Sequence, residues 1–231
     1  MNVPIDLVVG FDQREAVAYH VFCQSVIDRA SGPVRFLPLK NLGALGYTEH
    51  HKDGSNAFTY TRFLTPYLMG FKGWAIFMDG DMVCNTDIYE LWKLRDPTKA
   101  VQVVKHDYKT KAYQKYLGNI NQDYPRKNWS SVVLWNCEHP DNAQLTVHFV
   151  SAQSGAFLHR FQWLNDSAIG ELPVSWNWLA IEYPSNPAVD LIHYTLGTPC
   201  FREYSETDFA PHWDLAFKRA LSGLTTREGD D

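Results

Sequence analysis

The sequence predicts an α/β fold, in which a mixed and mostly parallel sheet is flanked by helices within a single domain. Three short apolar runs, at residues 5–10, 34–37 and 74–78, have the length and composition of buried strands. A segment with helical spacing of apolar residues separates the first two runs. Because a strand, a helix and a strand in that order form a right-handed unit with parallel strands, this part of the chain predicts a parallel sheet.

The composition fits one large domain. Of the 231 residues, 45% are hydrophobic, which is enough for a substantial core, and no repeat or linker divides the chain. We expect residues 1–201 to form the main domain, to which residues 202–231 add a helix and an acidic tail. The net charge of −5 argues against general affinity for nucleic acids. The high content of tryptophan and tyrosine suggests that some of these side chains line a binding cleft.

The cysteines and the first residues bear on the cellular compartment. Four cysteines are scattered without a C-x-x-C pair, a pattern that favours reduced thiols over disulfides or a zinc site. A strand pattern begins at Ile5, so we expect no signal peptide, and no apolar run approaches membrane-spanning length. We therefore expect a cytoplasmic protein without a membrane span.

The predicted elements follow from the N-terminus. Asp12 is expected to cap a helix that runs to about Arg29. Residues 39–56 predict a long loop, which in a compact domain is often functional, and residues 57–69 predict a helix that kinks at Pro66. The remaining elements are predicted as helices at 88–94, 141–152, 154–164 and 210–221, and as strands at 101–104, 128–136 and 192–194.

Residues 105–127 differ in character from the rest of the chain. Lysine and arginine are interleaved with tyrosine in this segment, and few acids accompany them. We expect most of these lysines on a solvated surface. Lys127 is the best candidate for contact with a phosphorylated substrate, because it adjoins the next ordered segment.

Two acids, Asp79 and Asp81, directly follow the buried run at 74–78, with Gly80 between them. Buried acids are costly unless a cation or hydrogen bonds compensate them, and ligands of open α/β sheets bind at this end of the strands. The glycine would let a phosphate or a metal approach the backbone. The pattern predicts a divalent-cation site that holds a nucleotide diphosphate. The alternative is an ordinary turn that ends the strand, since acid-x-acid patterns are common.

The order of these pieces resembles a GT-A type (Rossmann-like) glycosyltransferase over most of residues 5–201. It is similar to the retaining family of glycogenin and the bacterial lipooligosaccharide galactosyltransferases, in which a strand leads to an acid-x-acid metal motif, as WAIFMDGDMV does here. The donor-contacting arginine of that family corresponds to Arg62, its sugar-site strand loosely to 128–136, and its metal-binding histidine to His193 in HYTLGTP. The chain is closer still to uncharacterised bacterial glycosyltransferase-like proteins with the blocks GFDQRE, TRFLTPYL, YPRKNWSS, LHRFQWL and LPVSWNWL.

The sequence departs from the family pattern at several positions. Trp129 stands where the family has a sugar-contacting asparagine, although Asn128 is adjacent. Thr198 stands nearest to the position of the lysine that grips the diphosphate in the family. The D-Q-D sequence of the family has only rough substitutes in Gln162 and Asp166. The closer resemblance suggests three replacements for the missing lysine, namely Arg14, Lys127 or Arg126.

The resemblance implies a cation, a donor and a reaction. Mn²⁺ or Mg²⁺ held by Asp79, Asp81 and His193 would neutralise charge on the leaving diphosphate, and the histidine nitrogen favours Mn²⁺. The donor is expected to be a UDP-sugar, with further contacts to Gly10, Phe11, Asp12, Arg14, Tyr60, Arg62 and Gly80. The expected sugar or acceptor contacts are Lys127, Asn128, Trp129, Ser130 and Trp176. The catalytic candidates are Asp166, Glu171 and Asn177, and retention is expected by analogy alone.

The acceptor stays open between a saccharide, a lipid-linked molecule and a protein. Three other functions compete with the main prediction. Transfer to a hydroxymethylated base in DNA has support only from the basic, aromatic segment 105–129. A sugar-nucleotide nucleotidyltransferase would carry a glycine-rich, lysine-bearing loop after the first strand, which GFDQRE is not. An inactive binding module fits the missing diphosphate lysine. No oligomeric state is predicted.

Overall fold

A central six-stranded sheet organises the computed structural model, which describes residues 3–186 and 188–225. Its strands are β1 (Ile5–Gly10), β2 (Val34–Leu39), β3 (Trp74–Met78), β5 (Val101–Val103), β6 (Val132–Asn136) and β7 (Ile169–Glu171). Their order across the sheet is β2-β1-β3-β6-β5-β7. All pairs are parallel except those that β6 makes with β3 and β5. The predicted mixed, mostly parallel sheet is confirmed.

A second, smaller sheet lies at the end of β3. It consists of β4 (Met82–Cys84), β8 (Trp178–Leu179) and β9 (Leu191–His193), in the order β4-β9-β8. The sequence predicted β9 but did not separate β4 from the strand before it. Because Met82 pairs with His193 in antiparallel register, this small sheet brings the end of the chain beside the acid-x-acid turn.

The helices cover both faces of the central sheet. They are α1 (Ala16–Ile27), α2 (Thr65–Leu68), α3 (Ile88–Lys93), α4 (Val147–Ala152), α5 (Gly155–His159) and α6 (Ala210–Thr225). As predicted, the Asp12 side chain accepts a hydrogen bond from the Arg14 N–H before α1 begins. The predicted kink at Pro66 is wrong, because this proline lies in the first turn of α2, where its missing N–H costs no hydrogen bond. Among the described residues, none of the helices has both the length and the apolar character needed to cross a membrane.

The hydrophobic core has two parts, one on each face of the central sheet, because successive side chains along β1 and β3 point to opposite faces. Val8 and Phe77 point to one face of the sheet, while Leu7 and Ile76 point to the other, and all four are fully buried. Burial on both faces explains why these strands read as continuous apolar runs.

The C-terminal helix α6 packs on α1 and on the small sheet. Trp213 and Ala216 of α6 join Val21 of α1, Val83 of β4 and Ile192 of β9 in one buried cluster. The helix thereby covers the outer side of the strand pair that carries the site. The acidic tail predicted beyond α6 falls at residues 226–231, outside the described residues.

Candidate metal and donor site

The turn Asp79–Asp81 joins the two sheets and fixes one acid to each of them. The Asp79 N–H donates to the carbonyl of Ser131 at 3.0 Å, which continues the pairing of β3 with β6. The Asp81 carbonyl accepts from the Tyr194 N–H at 3.0 Å, which continues the pairing of β4 with β9. The two carboxylates therefore have a rigid backbone behind them.

Gly80, between the two acids, is required by packing. A Cβ atom at this position would collide with the carbonyl oxygen of Gly10 at the end of β1. The sequence suggested that the glycine admits a phosphate or a metal. The structure gives another reason, namely that the ends of β1 and β3 approach each other too closely for any side chain here.

Asp79, Asp81 and His193 could hold a divalent cation. One ligand atom from each of the three residues lies within 4.8 Å of the other two. His193 Nε2 is 3.3 Å from Asp81 Oδ1 and 3.8 Å from Asp79 Oδ2. Asp79 Oδ1 and Asp81 Oδ1 are buried and have no hydrogen-bond partner. Asp79 Oδ1 has the charge of Arg62 beside it, whereas Asp81 Oδ1 faces His193 Nε2, and a cation bound there would remove the cost of burying this oxygen.

Asn177 sets the orientation of the His193 ring. The Asn177 amide donates through Nδ2 to the carbonyl of Asn128 at 3.2 Å, so its Oδ1 atom faces His193 Nδ1 at 2.8 Å. Because an amide oxygen only accepts, Nδ1 carries the proton and Nε2 keeps its lone pair for the cation that the acids would share. Asn177 was predicted to be catalytic. The structure places it behind the histidine ring, against Nδ1, while Nε2 faces the acids.

Arg62 is buried against the first acid. Its Nη1 atom lies 2.7 Å from Asp79 Oδ1, as an ion pair without the alignment of a hydrogen bond, and donates to the carbonyl of Ser130 at 3.0 Å. Burial raises the pKa of Asp79 to about 6, the Arg62 charge opposes this rise, and the Asp81 charge adds to it. Burial also opposes ionisation of Asp81, but the neighbouring His193 and the positive charge of Lys115 lower its pKa.

A narrow pocket lies beside the acids, where β1 and β3 end. Gly10, Asp12 and Gly80, all predicted as donor contacts, line it together with Glu15, Tyr19 and others. A Cβ at Gly10 would overlap the ring of Phe58, so this position also requires a glycine.

The other predicted donor contacts are engaged within the protein. Arg14 pairs with Asp12 at 2.6 Å and donates to the Ser55 carbonyl at 2.8 Å. The ring of Phe11 packs edge-on against Tyr19 and has the ammonium of Lys40 over its face. Tyr60 is buried; its hydroxyl donates to Asp53, and its ring stacks on His51 with 3.5 Å between centroids.

The residues predicted to contact sugar or acceptor mostly anchor the segment 105–127. Lys127 Nζ donates to Asn121 Oδ1 and the Gln122 carbonyl. Asn128 Nδ2 donates to the Tyr108 hydroxyl, and Trp129 Nε1 donates to the His106 carbonyl. Ser130 Oγ instead contacts His159 Nδ1, outside this segment. Trp176 is only 3% exposed and packs in the core, so it offers no face to a sugar.

Two predicted catalytic acids lie apart from the cation site. The Asp166 side chain is 83% exposed and pairs with Arg126 at 2.5 Å. Glu171 ends β7, which is three strands away from β3, or roughly 14 Å at the usual strand spacing. Within the described part of the chain, neither acid is paired with a member of the triad.

Glu15, Lys115 and Tyr116 belong to the site but were not predicted to do so. The Tyr116 hydroxyl donates to Glu15 Oε1 at 2.6 Å, and the other oxygen of Glu15 is buried without a partner. Burial raises the pKa of Glu15 to about 8, and the negative charge of Asp81 acts in the same direction. Lys115 lies close enough to Asp81 and Asp79 to feel both charges. In the sequence, Lys115 and Tyr116 lie within the lysine-rich segment 105–127, where no local pattern indicated that they lie near the two acids.

Comparison with known proteins identifies a family and a fold. The sequence profile described as "Glycosyl transferase family 8" matches residues 34–138. Protein CDI of Arabidopsis thaliana is 42% identical over 220 residues, which are 91% of this chain and 85% of that protein.

Solved structures with low sequence identity share the architecture. The bifunctional glycosyltransferase WbbM matches with a TM-score of 0.67 at 15% identity, over 99% of this chain and 52% of that one. This chain thus spans about half the length of WbbM. The galactosyltransferase LgtC, solved with donor and acceptor sugar analogs, matches with a TM-score of 0.57 at 16% identity, over 94% of this chain and 96% of that one. Both matches show the fold that the resemblance predicted.

Proposed function

Because this chain belongs to glycosyl transferase family 8, and is therefore a glycosyltransferase with the GT-A fold, we propose that it transfers a sugar from a nucleotide-diphosphate donor to a hydroxyl acceptor. We propose UDP as the nucleotide and Mn²⁺ as the cation. The observation that carries the proposal is the cluster of Asp79, Asp81 and His193, whose ligand atoms face one another at the end of β3.

The donor set supports a divalent cation. When bound, Mn²⁺ or Mg²⁺ acts as a Lewis acid that neutralises the charge growing on the leaving diphosphate. Asp79 and Asp81 supply oxygen atoms, which both ions accept, while the nitrogen of His193 favours Mn²⁺. Asn177 holds that nitrogen in place through the opposite side of the ring. Arg62 compensates the charge of Asp79, which keeps this acid ionised despite burial.

A polar group beside the acids supports binding of the nucleoside. Glu15 lines the narrow pocket there, and its Oε2 atom has no partner among the described residues, so it can form a hydrogen bond with a ribose hydroxyl. The ligand set named for the LgtC structure, a donor analog with an acceptor sugar analog, agrees with a site of this kind. A saccharide, a lipid-linked molecule or a protein would then offer the accepting hydroxyl.

A melting-temperature screen tests the proposal. The purified chain is heated with UDP-, GDP- and ADP-sugars, each in the presence of Mn²⁺ and of EDTA. Since a ligand that binds the native state raises the melting temperature, we expect at least one nucleotide sugar to do so in Mn²⁺ and to lose the effect in EDTA. Slow release of the nucleoside diphosphate from that donor should accompany the shift. The absence of any Mn²⁺-dependent shift across the panel would overturn the proposal.

A further inference from the structure

We propose that Lys115 binds the diphosphate of the donor. The inference rests on the proposed function and names a residue of that site. A nucleoside diphosphate brings about three negative charges, whereas a divalent cation and Arg62 together exceed the charges of Asp79 and Asp81 by only one. The site therefore needs a further cation that faces the acids from the protein side.

Tyr116 fixes the backbone next to this lysine at the site. Its N–H donates to the carbonyl of Leu196 at 2.7 Å, three residues after His193. Its hydroxyl donates to Glu15, which lines the pocket at the end of β1. The segment 114–120 thus bridges the two walls between which the donor would lie.

Gly197 makes this close approach possible. It has a φ of 155°, and a Cβ atom there would lie only 3.1 Å from Cβ of Tyr116 and would overlap the ring of Tyr204. The ring of Tyr116 in turn packs on Phe201 with 5.0 Å between centroids. The segment 114–120 is therefore packed into the C-terminal part of the site rather than extended into solvent.

The Lys115 side chain is half-buried, and its ammonium group has no hydrogen-bond or ion-pair partner among the described residues. The described residues place no acceptor within hydrogen-bond distance of its ammonium and no carboxylate oxygen within 4.0 Å. Burial lowers its pKa, and the charges of Asp81 and Asp79 oppose that effect. An ammonium withdrawn from water without partners is costly, so an anion bound between Lys115 and the acids would supply what the protein lacks.

The other basic residues considered for this role already have partners. Arg14 is held by Asp12 and the Ser55 carbonyl. Lys127 is held by Asn121 and Gln122, and Arg126 by Asp166 and the Arg160 carbonyl. To bind a diphosphate, Arg14, Lys127 or Arg126 would have to break its existing hydrogen bonds. The Lys115 ammonium has no such bond to break within the described part of the chain.

The test compares K115M with K109M in Mn²⁺. Lys109 lies exposed in the segment 105–127 but outside residues 114–120, so K109M loses the same charge away from the site. Calorimetric titration uses UDP and uridine. We expect K115M to bind UDP about 10- to 100-fold more weakly, the usual worth of a hydrogen bond to a charged group, and to bind uridine unchanged. K109M should match the wild type for both ligands.

Titration with Mn²⁺ alone gives an effect of opposite sign. Because K115M removes a positive charge beside the acids, it should bind Mn²⁺ more tightly in the absence of nucleotide. A lysine that only balances the two acids would produce this gain without the loss of UDP affinity. Such a result, with UDP affinity unchanged, would overturn the inference and leave the proposed function intact.

Two further outcomes are decisive. A wild type that shows no Mn²⁺-dependent binding of UDP overturns the inference together with the UDP donor. If K115M loses uridine binding as well, the loss could come from damage to the site rather than from the missing charge. The variant K115R separates these two causes, because it restores the charge. Recovery of UDP affinity in K115R supports the inference, and equal loss in K115R overturns it.

Discussion

His193 Nε2 lies 3.3 Å from Oδ1 of Asp81, at the junction of the central sheet and the small sheet. The contact depends on the pairing of β4 with β9, which sets Met82 opposite His193. A nitrogen ligand from the C-terminal part of the chain therefore meets two oxygen ligands from its middle. This relationship underlies the predictions that follow.

Replacing Asp81 by asparagine should remove cation binding and donor hydrolysis. The substitution keeps the shape of the side chain but removes the charge that a Lewis-acid cation requires, so turnover should fall at least about 100-fold. Mn²⁺ binding can be followed by electron paramagnetic resonance. Asp123→Asn, a change at an acid outside the site, is the control and should behave as the wild type. Unchanged Mn²⁺ affinity in D81N would remove Asp81 from the ligand set.

Replacing Asn177 by leucine should weaken the cation site without touching a ligand. The change frees the His193 ring from its 2.8 Å contact, and loss of such an orienting partner costs about 10- to 100-fold in metal affinity. Asn177→Asp keeps an acceptor for Nδ1 and should retain more affinity than the leucine variant. Equal affinity in both variants would show that Asn177 does not orient the ring.

Replacing Arg62 by methionine should act on folding before it acts on the donor. The change leaves Asp79 buried without its 2.7 Å partner, and breaking a buried ion pair costs about 3–5 kcal/mol of unfolding free energy. Urea denaturation in EDTA measures the loss. The double variant R62M/D79N removes both charges and should be more stable than R62M. If the double variant were the less stable of the two, the ion pair would not be the reason for the loss.

Because of Glu15, the unfolding free energy of the cation-free protein should fall as the pH rises from 5 to 8. Burial and the charges of Asp81, Asp12 and Asp79 raise the pKa of Glu15 to about 8, from 4.5, against the hydrogen bond from Tyr116. The folded state therefore holds a proton that the unfolded state releases, so stability is lost as the pH rises through this window. The slope contributed by one such group is at most about 1.4 kcal/mol per pH unit.

Glu15→Gln tests this assignment. Glutamine still accepts from the Tyr116 hydroxyl but does not titrate, so in EDTA the stability of the variant should vary less between pH 5 and pH 8 than that of the wild type. The unfolding free energy from urea titrations at several pH values is the measurement. Parallel curves for the two proteins would assign the pH dependence to other groups.

Replacing Gly80 by alanine should destabilise the turn itself. The new methyl group would meet the Gly10 carbonyl, and forcing an extra carbon into a packed site costs about 1–3 kcal/mol. Gly43→Ala is the matched control, because a Cβ atom there would have no other atom within 4 Å and its φ is not positive. A melting temperature for G80A equal to that of G43A would contradict the close approach of the two strand ends.

The central sheet and the two acids were predictable because their signals are local. An apolar run ended by Asp79 and Asp81 marks both a buried strand and a costly terminus within a few residues. His193 needed the family resemblance, since a lone histidine in a short strand carries no local sign of a ligand role.

Lys115 could not be recognised from the pattern around it. Its position depends on Tyr116, whose hydroxyl reaches Glu15 across 101 residues of sequence, and whose N–H reaches Leu196 in the other direction along the chain. Local spacing says nothing about such contacts, because the segment 105–127 contains only a short 3-10 turn at Tyr116–Gly118 and no other helix or strand that would fix the direction of its side chains. The same lack of periodicity concealed β4, whose three residues pair only with a strand from the C-terminal part.

The pairing of β4 with β9 also has a consequence for biosynthesis. A chain leaving the ribosome presents both acids first, and it lacks the histidine until β9 has emerged, more than 100 residues later. A product that stops before β9 would expose the acids without the nitrogen ligand and without the strand that shields them. Tight cation binding would thus distinguish molecules that contain β9 from nascent or truncated ones that lack it.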